Sequence, residues 1–416
     1  MPATFQHHTL PNGLTLIAEP DPDAHTAAVG FFIKTGARDE TPDVMGVSHF
    51  LEHMMFKGTD QRSAEDINRE FDTLGASYNA YTSHEQTVYH AHLLPEKLDA
   101  AVDLFTDMLR PALRDDDFDM EKKVILEEIG MYDDRPEWRL HDRLLEEHFK
   151  NDNDSSHGLG YRVLGTTDTV SALTPQQMRT YFEARYSPDN LVVSAAGRLD
   201  FDRLCDAIET RCGHWRPTDA TRTYQDPAIA RKDITLDDPK TSRHYLAMLC
   251  PGPAAQDDDR YAAKVLADVL GDHDSSRLYW ALVDPGHADE ADFSFIPHDR
   301  VGAFMAYASC DPDRAAAVED KLFTLLDAQA DAGFDITDHD VRRAVNKLAT
   351  RATLQGERPA GRMQALGSQW NYHARHLPLD EELARLRAVT VDDLRTLLTR
   401  YTFQPRTTVR LRPAGE

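Results

Sequence analysis

Cysteine is scarce in this 416-residue chain: there are four, Cys205, Cys212, Cys250 and Cys310, and no two form a C-x-x-C pair. That excludes a disulfide scaffold and a thiolate zinc ribbon, and it fits free thiols in a reducing compartment. Cys205 and Cys212 stand seven apart on an expected helix, where small buried side chains explain them better than ligands do. Long apolar runs are also lacking, and none approaches the ~18 residues of a membrane helix. The start, Met1-Pro-Ala-Thr-Phe-Gln6, lacks the basic-then-apolar layout of a secretory signal, so a cytoplasmic location is expected. Basic residues are outnumbered, 46 Lys and Arg against 71 Asp and Glu, for a net charge of -25. Nucleic acid and anionic membranes would be repelled, and neither is expected as a partner. The charge would suit a basic or neutral substrate, but an acidic surface that keeps the chain soluble explains it more simply.

What is present is ordinary for a globular protein, with 41% hydrophobic and 28% charged residues and length enough for two domains. The most informative stretch is Gly46-Val-Ser-His-Phe-Leu-Glu-His-Met-Met-Phe-Lys57, which carries His49-Phe-Leu-Glu52-His53, an H-x-x-E-H pattern. No Pro or internal Gly interrupts it, so a helix is expected. Residues four apart on a helix lie one above the other, which puts His49 and His53 on one face, as two corners of a tetrahedral zinc site. Glu52 lies nearly on that face, close enough to polarise a metal-bound water. Val47, Phe50, Leu51, Met54 and Met55 would bury the helix. Polar groups in so apolar a helix are costly unless something such as a metal compensates them. A five-residue pattern can also arise by chance, and a third ligand is required to support it.

Along the chain, Phe5–His8 and Leu14–Ala18 flank the turn Pro11-Asn-Gly13 as a hairpin, and Ala27–Thr35 reads as a strand. After the motif helix, Ser63 caps a helix that ends at Gly75. Ser77–Thr82 and Gln86–Leu93 read as strands, and Pro95–Leu109 as a helix. Asp115–Met131 forms a helix with three aspartates at its start. On it Glu121 and Glu128 are seven apart on one face, while Glu127 points about 100° away, towards solvent. Helical residues continue over Trp138–Phe149, followed by a polar loop, Asn151–Gly160. Then come a helix (Thr174–Tyr186), a strand (Asn190–Ala196) and a helix (Phe201–Cys212). Arg216–Lys232, without apolar periodicity, reads as a linker.

Beyond the linker the order repeats. Thr174-Pro-Gln-Gln-Met-Arg-Thr-Tyr-Phe182 resembles Thr390-Val-Asp-Asp-Leu-Arg-Thr-Leu-Leu398, half a chain further on, and a strand follows each. An internal duplication is implied. The offset that carries Thr174 to Thr390 also places Tyr261–Leu270 over the motif helix, with Val265 and Val269 at the histidine positions. The domains expected are residues 1–215, a linker 216–232 and residues 233–416, only the first carrying the metal motif.

The H-x-x-E-H order, the later Val-Ile-Leu-Glu-Glu128 segment and the duplicated α/β chain together resemble the insulinase/pitrilysin-type zinc metallopeptidases, family M16. The likeness is greatest to the mitochondrial-processing-peptidase-like subfamily (M16B). Leu10-Pro-Asn-Gly-Leu14, Gly46–Thr59, Asn79-Ala-Tyr-Thr-Ser83, Glu121–Tyr132 and Leu164-Gly-Thr166 add to it. The resemblance implies an α+β fold of two homologous α/β sandwich domains of the LuxS/MPP-like kind, each a mainly antiparallel sheet with packed helices. It implies His49, His53 and Glu128 as ligands of Zn2+, Glu52 as general base, and Glu121 as a supporting glutamate. It further implies that Asn79, Ala80, Tyr81 and Thr82 form an edge strand on which an extended peptide pairs its backbone.

The function implied is a zinc endopeptidase that cuts peptides enclosed between two half-shell chains, hence a dimer. The alternative is a non-catalytic assembly subunit, against which retention of His49, Glu52, His53 and Glu128 speaks. The second half departs from the family. After Ser275-Ser-Arg-Leu278, Val283 and Glu290 stand where active relatives carry a substrate-contacting Arg and Tyr. A heterodimer, with a second M16-like chain supplying that pair, is therefore attractive, and a homodimer remains open. Arg277 and Tyr279 are read as structural. A structure-only metal site would need a fourth protein ligand. His84, His90, His92, His141, His148 and His157 are read as packing or surface residues instead.

Overall fold

The computed structural model describes residues 4–150, 157–331 and 333–414. In chain order the elements are β1 (Gln6–Thr9), β2 (Thr15–Pro20), β3 (Ala27–Ile33), α1 (Val47–Met54), α2 (Ala64–Leu74), β4 (Ser77–Thr82), β5 (Thr87–Leu93), α3 (Leu98–Met108) and α4 (Asp115–Asp133). They continue with α5 (Pro136–His148), α6 (Thr167–Ala172), α7 (Pro175–Arg185), β6 (Leu191–Gly197), α8 (Phe201–Cys212), β7 (Lys232–Asp238), β8 (His244–Gly252), α9 (Arg260–Gly271) and β9 (Glu290–His298). The last are β10 (Val301–Cys310), α10 (Ala315–Ala330), α11 (Asp338–Gly356), α12 (Pro359–His373), α13 (Leu379–Arg387), α14 (Val391–Arg400) and β11 (Thr407–Pro413). Of the expected loop Asn151–Gly160, residues 151–156 lie outside the described residues.

The fold is α+β, with two compact units. The first contains residues 1–130, 161–223 and 354–377 and is built on a six-stranded sheet in the order β1-β2-β6-β3-β5-β4. The β2–β6 pair is parallel, and the other pairs are antiparallel. Every residue of β3 is buried, because both faces of this central strand are covered. Side chains alternate along a strand, so Val29, Phe31 and Ile33 enter the main core, where the Phe31 ring lies 5.5 Å from that of Phe105 on α3. Ala28 and Phe32 point the other way, against Met363 and Leu366 of α12. Gly367 permits this approach: a Cβ there would lie 2.3 Å from the Phe32 ring.

The second unit contains residues 131–160, 224–353 and 378–416 and holds a five-stranded sheet, β7-β11-β8-β10-β9. Its order repeats β2-β6-β3-β5-β4, including one parallel pair, β7–β11. The starts of α7 and α14, Pro175 and Val391, keep the offset of Thr174 to Thr390, and so do the starts of β6 and β11, Leu191 and Thr407. The duplication is therefore written in the topology.

The units do not follow the expected boundary at residues 216–232. α5, from the first half of the chain, packs Leu140, Leu144 and Leu145 on Tyr245, Leu249, Val409 and Leu411 of the second sheet. α12, from the second half, covers the first sheet. Both helices are apolar on one side. That pattern requires some sheet to cover but does not name which one. The expected linker has no helix or strand before Lys232, where β7 begins, yet Arg222 within it is anchored. Its guanidinium donates to Asp39 Oδ1 and Oδ2 at 2.9 and 2.7 Å, and to the Glu85 carbonyl at 2.6 Å. The four cysteines are free thiols. No helix among the described residues is long and apolar enough to cross a membrane.

Candidate metal centre

α1 begins at Gly46, whose φ of 96° is left-handed and whose missing Cβ would meet the Leu164 carbonyl oxygen at 2.7 Å. The helix has no capping side chain of its own. Glu40 caps it from a distance: Oε2 accepts from the Gly46 amide and Oε1 from the Ser48 amide, both at 2.8 Å. Burial pushes the Glu40 carboxyl up to about 8, against the pull of these hydrogen bonds, and neighbouring Asp39 adds to the rise. Ser48 Oγ contacts the Tyr181 hydroxyl at 2.9 Å, and that hydroxyl lies 2.8 Å from Thr35 Oγ1. The apolar face of α1 then fixes its neighbour. Phe50 stacks on Phe118 of α4 with centroids 4.6 Å apart, which sets the separation of the two helices that carry the polar cluster.

On the opposite face the rings of His49 and His53 lie 4.7 Å apart. Both Nε2 atoms approach one oxygen of Glu128, at 3.9 Å for His49 and 3.7 Å for His53. The three ligating atoms lie within 4.8 Å of one another. His53 Nδ1 is 2.8 Å from Glu121 Oε1, and Glu121 also pairs with Lys57. A carboxylate can only accept, so Nδ1 carries a proton, and in the neutral ring the lone pair is left on Nε2, the atom that faces Glu128. Burial, and next the charge of His53, push His49 down to about 3, so it is neutral with a lone pair to offer. For His53, burial works downward. The hydrogen bond and charge of Glu121, with Glu128 and Glu52, outweigh it and raise the imidazole above its ordinary value. Glu52 is raised by burial. Opposing this is the hydrogen bond that Thr82 Oγ1 donates to its Oε2 at 2.6 Å.

Residues 15–160 match the family model described as Insulinase (Peptidase family M16), and residues 172–348 match that described as Peptidase M16 inactive domain. The chain belongs to peptidase family M16. An uncharacterized zinc protease of Streptomyces coelicolor is 34% identical over 95% of this chain and 86% of its own length. A probable mitochondrial-processing peptidase subunit beta of Arabidopsis thaliana is 26% identical over 95% of this chain and 76% of its own. Among solved structures, a protease from Helicobacter pylori superposes with a TM-score of 0.91 at 21% identity, covering 99% of this chain and 100% of its own. That likeness concerns the fold.

Within this M16 fold, His49, His53, Glu52, Glu121 and Glu128 come together, from two helices far apart in sequence. Glu127 is exposed, as its helical position requires. β4 lies at the end of its sheet, with β5 as its one strand neighbour. Of Asn79–Thr82, Thr82 reaches the cluster. Asn79 Oδ1 accepts from the Ala80 amide at 2.9 Å, Ala80 packs against the main core, and Tyr81 bonds to Gln86 and to Gln364 of α12. His84, His92, His148 and His157 are each engaged by a backbone carbonyl or a threonine hydroxyl. His49, His53 and Glu128 form the one group of this kind found among the described residues. Val265 and Val269 lie in the second core, and Arg277 holds Asp335 and Asp340 at 2.8 and 3.0 Å.

Sequence reasoning missed two contributors. In the sequence Thr82 is strand backbone, whereas in the fold its hydroxyl donates to Glu52 Oε2. Glu40 was not singled out. The available signal was a motif helix that starts on Gly46 with no capping side chain and therefore needs a remote one.

Proposed function

We propose that this chain is a zinc-dependent endopeptidase acting on extended peptides. The observation that carries the reading is the convergence of His49 Nε2, His53 Nε2 and Glu128 Oε2 on one point, with Glu52 beside them. The donor set fits zinc. Two neutral imidazoles and one carboxylate form a catalytic ligand set with an open fourth position, and tetrahedral ligands at about 2.1 Å lie about 3.4 Å apart. The separations of 3.7 and 3.9 Å to Glu128 are within a few tenths of that. Bound zinc would supply Lewis acidity, acidifying water and polarising a carbonyl.

The chain's own residues do the rest. Glu121 holds His53 in the tautomer that leaves Nε2 free. Thr82 occupies one oxygen of Glu52, so the other is left to take a proton from the attacking water and return it to the leaving amine. The raised pKa of Glu52 suits both steps. The outer edge of β4 offers backbone groups for pairing with the peptide, and Asn79 to Thr82 are the residues that would face it. Because Val283 and Glu290 replace the family's Arg and Tyr, we further propose that the chain works as a dimer of half-shells, with a second M16-like chain supplying that pair.

The test is metal analysis followed by Glu52→Gln. Wild type is expected to hold one zinc and cleave a quenched-fluorescent unfolded peptide, and the variant to keep zinc while losing about 10²–10⁴ in rate. A wild type without zinc affinity, or a variant that cleaves equally well, would refute the peptidase reading. Native mass measurement decides the partner, since full activity of a lone chain rules out a supplementing subunit.

A further inference from the structure

The second unit has a cavity of about 490 Å³ between the loop Pro285-Gly-His287 and the start of α10. Arg314, just before α10, is followed by Ala317, Val318 and Lys321 at helical spacings of three, four and seven, so the four share one face. That face is the helical wall of the cavity. Three of the lining side chains, His287, Arg314 and Lys321, are basic, and none is acidic. In a chain with 71 acidic and 46 basic residues, such a lining runs against the composition. Two other cavities of the same unit carry aspartates on their walls.

The cations are not spent on internal ion pairs. Arg314 Nη1 donates to the Gly286 carbonyl, a neutral acceptor that steadies the guanidinium and leaves its charge unmatched. Neither Arg314 nor Lys321 pairs with a carboxylate among the described residues. Glu319 on the same helix is held by Arg410, and Asp284 and Asp313 adjoin the cavity in sequence without lining it. His287, Arg314 and Lys321 are all exposed, so their N–H groups are open to a ligand. The loop wall is pinned, since the amides of Gly286 and His287 donate to the carbonyls of Val283 and Leu282, both at 2.9 Å. Pro285, Ala317 and the buried Val318 supply apolar surface beside the charges.

We propose that this cavity binds a phosphate monoester of metabolite size. Such a group carries a charge of about -1.5 to -2 near neutral pH, which Arg314 and Lys321 together match. The planar guanidinium donates paired N–H bonds and the ammonium acts as a point charge. His287 has an N–H to donate in either tautomer. A single carboxylate would bring one charge and leave a cation unanswered. The volume falls within the ~300–1,000 Å³ of small-molecule sites and exceeds what inorganic phosphate fills, so the organic part of the ester lies on the apolar wall. The inference goes beyond the peptidase reading and does not depend on it.

The full chain is titrated in about 0.15 M salt, where diffuse attraction is screened, and binding is read from ligand NMR line widths. The probes are phenyl phosphate, inorganic phosphate and benzoate. Phenyl phosphate is expected to bind at least about tenfold tighter than benzoate, which lacks the second charge. It is also expected to bind tighter than inorganic phosphate, which lacks the apolar part. Lys321→Gln is expected to weaken phenyl phosphate about tenfold. Ala317→Trp, which fills the cavity and leaves the charges in place, is expected to abolish binding. Lys97→Gln, in the first unit, removes the same charge and is expected to change nothing. The proposal is overturned if phenyl phosphate leaves the line widths unchanged, or if benzoate or inorganic phosphate binds as tightly. Undiminished binding by Lys321→Gln or Ala317→Trp overturns it too, as does an equal loss in Lys97→Gln.

Discussion

Replacing Glu121 separates a residue that orients His53, a proposed zinc ligand, from one that merely packs beneath it. Glu121 is 4% exposed and accepts from His53 Nδ1 at 2.8 Å while pairing with Lys57. Glu121→Gln keeps an oxygen that can accept from Nδ1 but removes the charge, leaving Lys57 to water at a side chain that is 31% exposed. A hydrogen bond to a charged group is worth about 1.5–3 kcal/mol and a neutral one about 0.5–1.5 kcal/mol. The loss is therefore about 1–1.5 kcal/mol, or roughly tenfold in zinc affinity, the lower end of the effect of outer ligand partners. Glu121→Ala removes the acceptor altogether and is expected to reach about a hundredfold.

The assay is competition for zinc against a chromogenic chelator, with circular dichroism confirming the fold. The pH dependence has a definite sign. In the metal-free chain Glu121 raises the pKa of His53, so on acidification the wild type must displace a proton that the variants hold less tightly. The difference in affinity is expected to be largest near pH 7.5 and to narrow towards pH 5.5. Affinities within twofold of wild type for both variants would show that Glu121 does not orient His53.

Three further outcomes follow from the geometry. Thr82→Val removes the hydrogen bond that opposes the burial of Glu52, so the acidic limb of the pH–rate profile is expected to move to higher pH, with zinc content unchanged; an unmoved limb would count against Glu52 as the base. Glu40 is raised from its ordinary value to about 8, so its carboxyl favours the folded state below pH 4.5 and loses that contribution as pH rises towards 8. Glu40→Gln, which forfeits one amide acceptor, is expected to cost about 1–3 kcal/mol and to flatten the pH dependence of the melting temperature over that window. Gly367→Ala places a methyl 2.3 Å from Phe32 and is expected to destabilise the first unit by about 1–3 kcal/mol in denaturant titrations, whereas a neutral result would mean that α12 can lift from the sheet without cost.

Local patterns in the sequence determined a good deal. The four-residue spacing of His49 and His53 follows from helix geometry alone and holds wherever the helix is packed. The same rule applied to α4 allows only one of Glu127 and Glu128 to face the cluster, and the family resemblance selects Glu128. The constant offset between the halves, read from Thr174 and Thr390, announced the duplication, and with it the absence of metal ligands on α9. The tertiary structure decided what depends on contacts between distant segments. An apolar stripe on α5 or α12 demands burial, but only the folded chain shows that each covers the sheet of the other half. A carboxylate such as Glu40 looks like any surface acid when read in line. Glu40 became a helix cap because a loop brings it against Gly46 and Ser48. Hydrogen bonding and desolvation act through space, at distances that sequence separation does not encode, and so these roles appear only when the chain is folded.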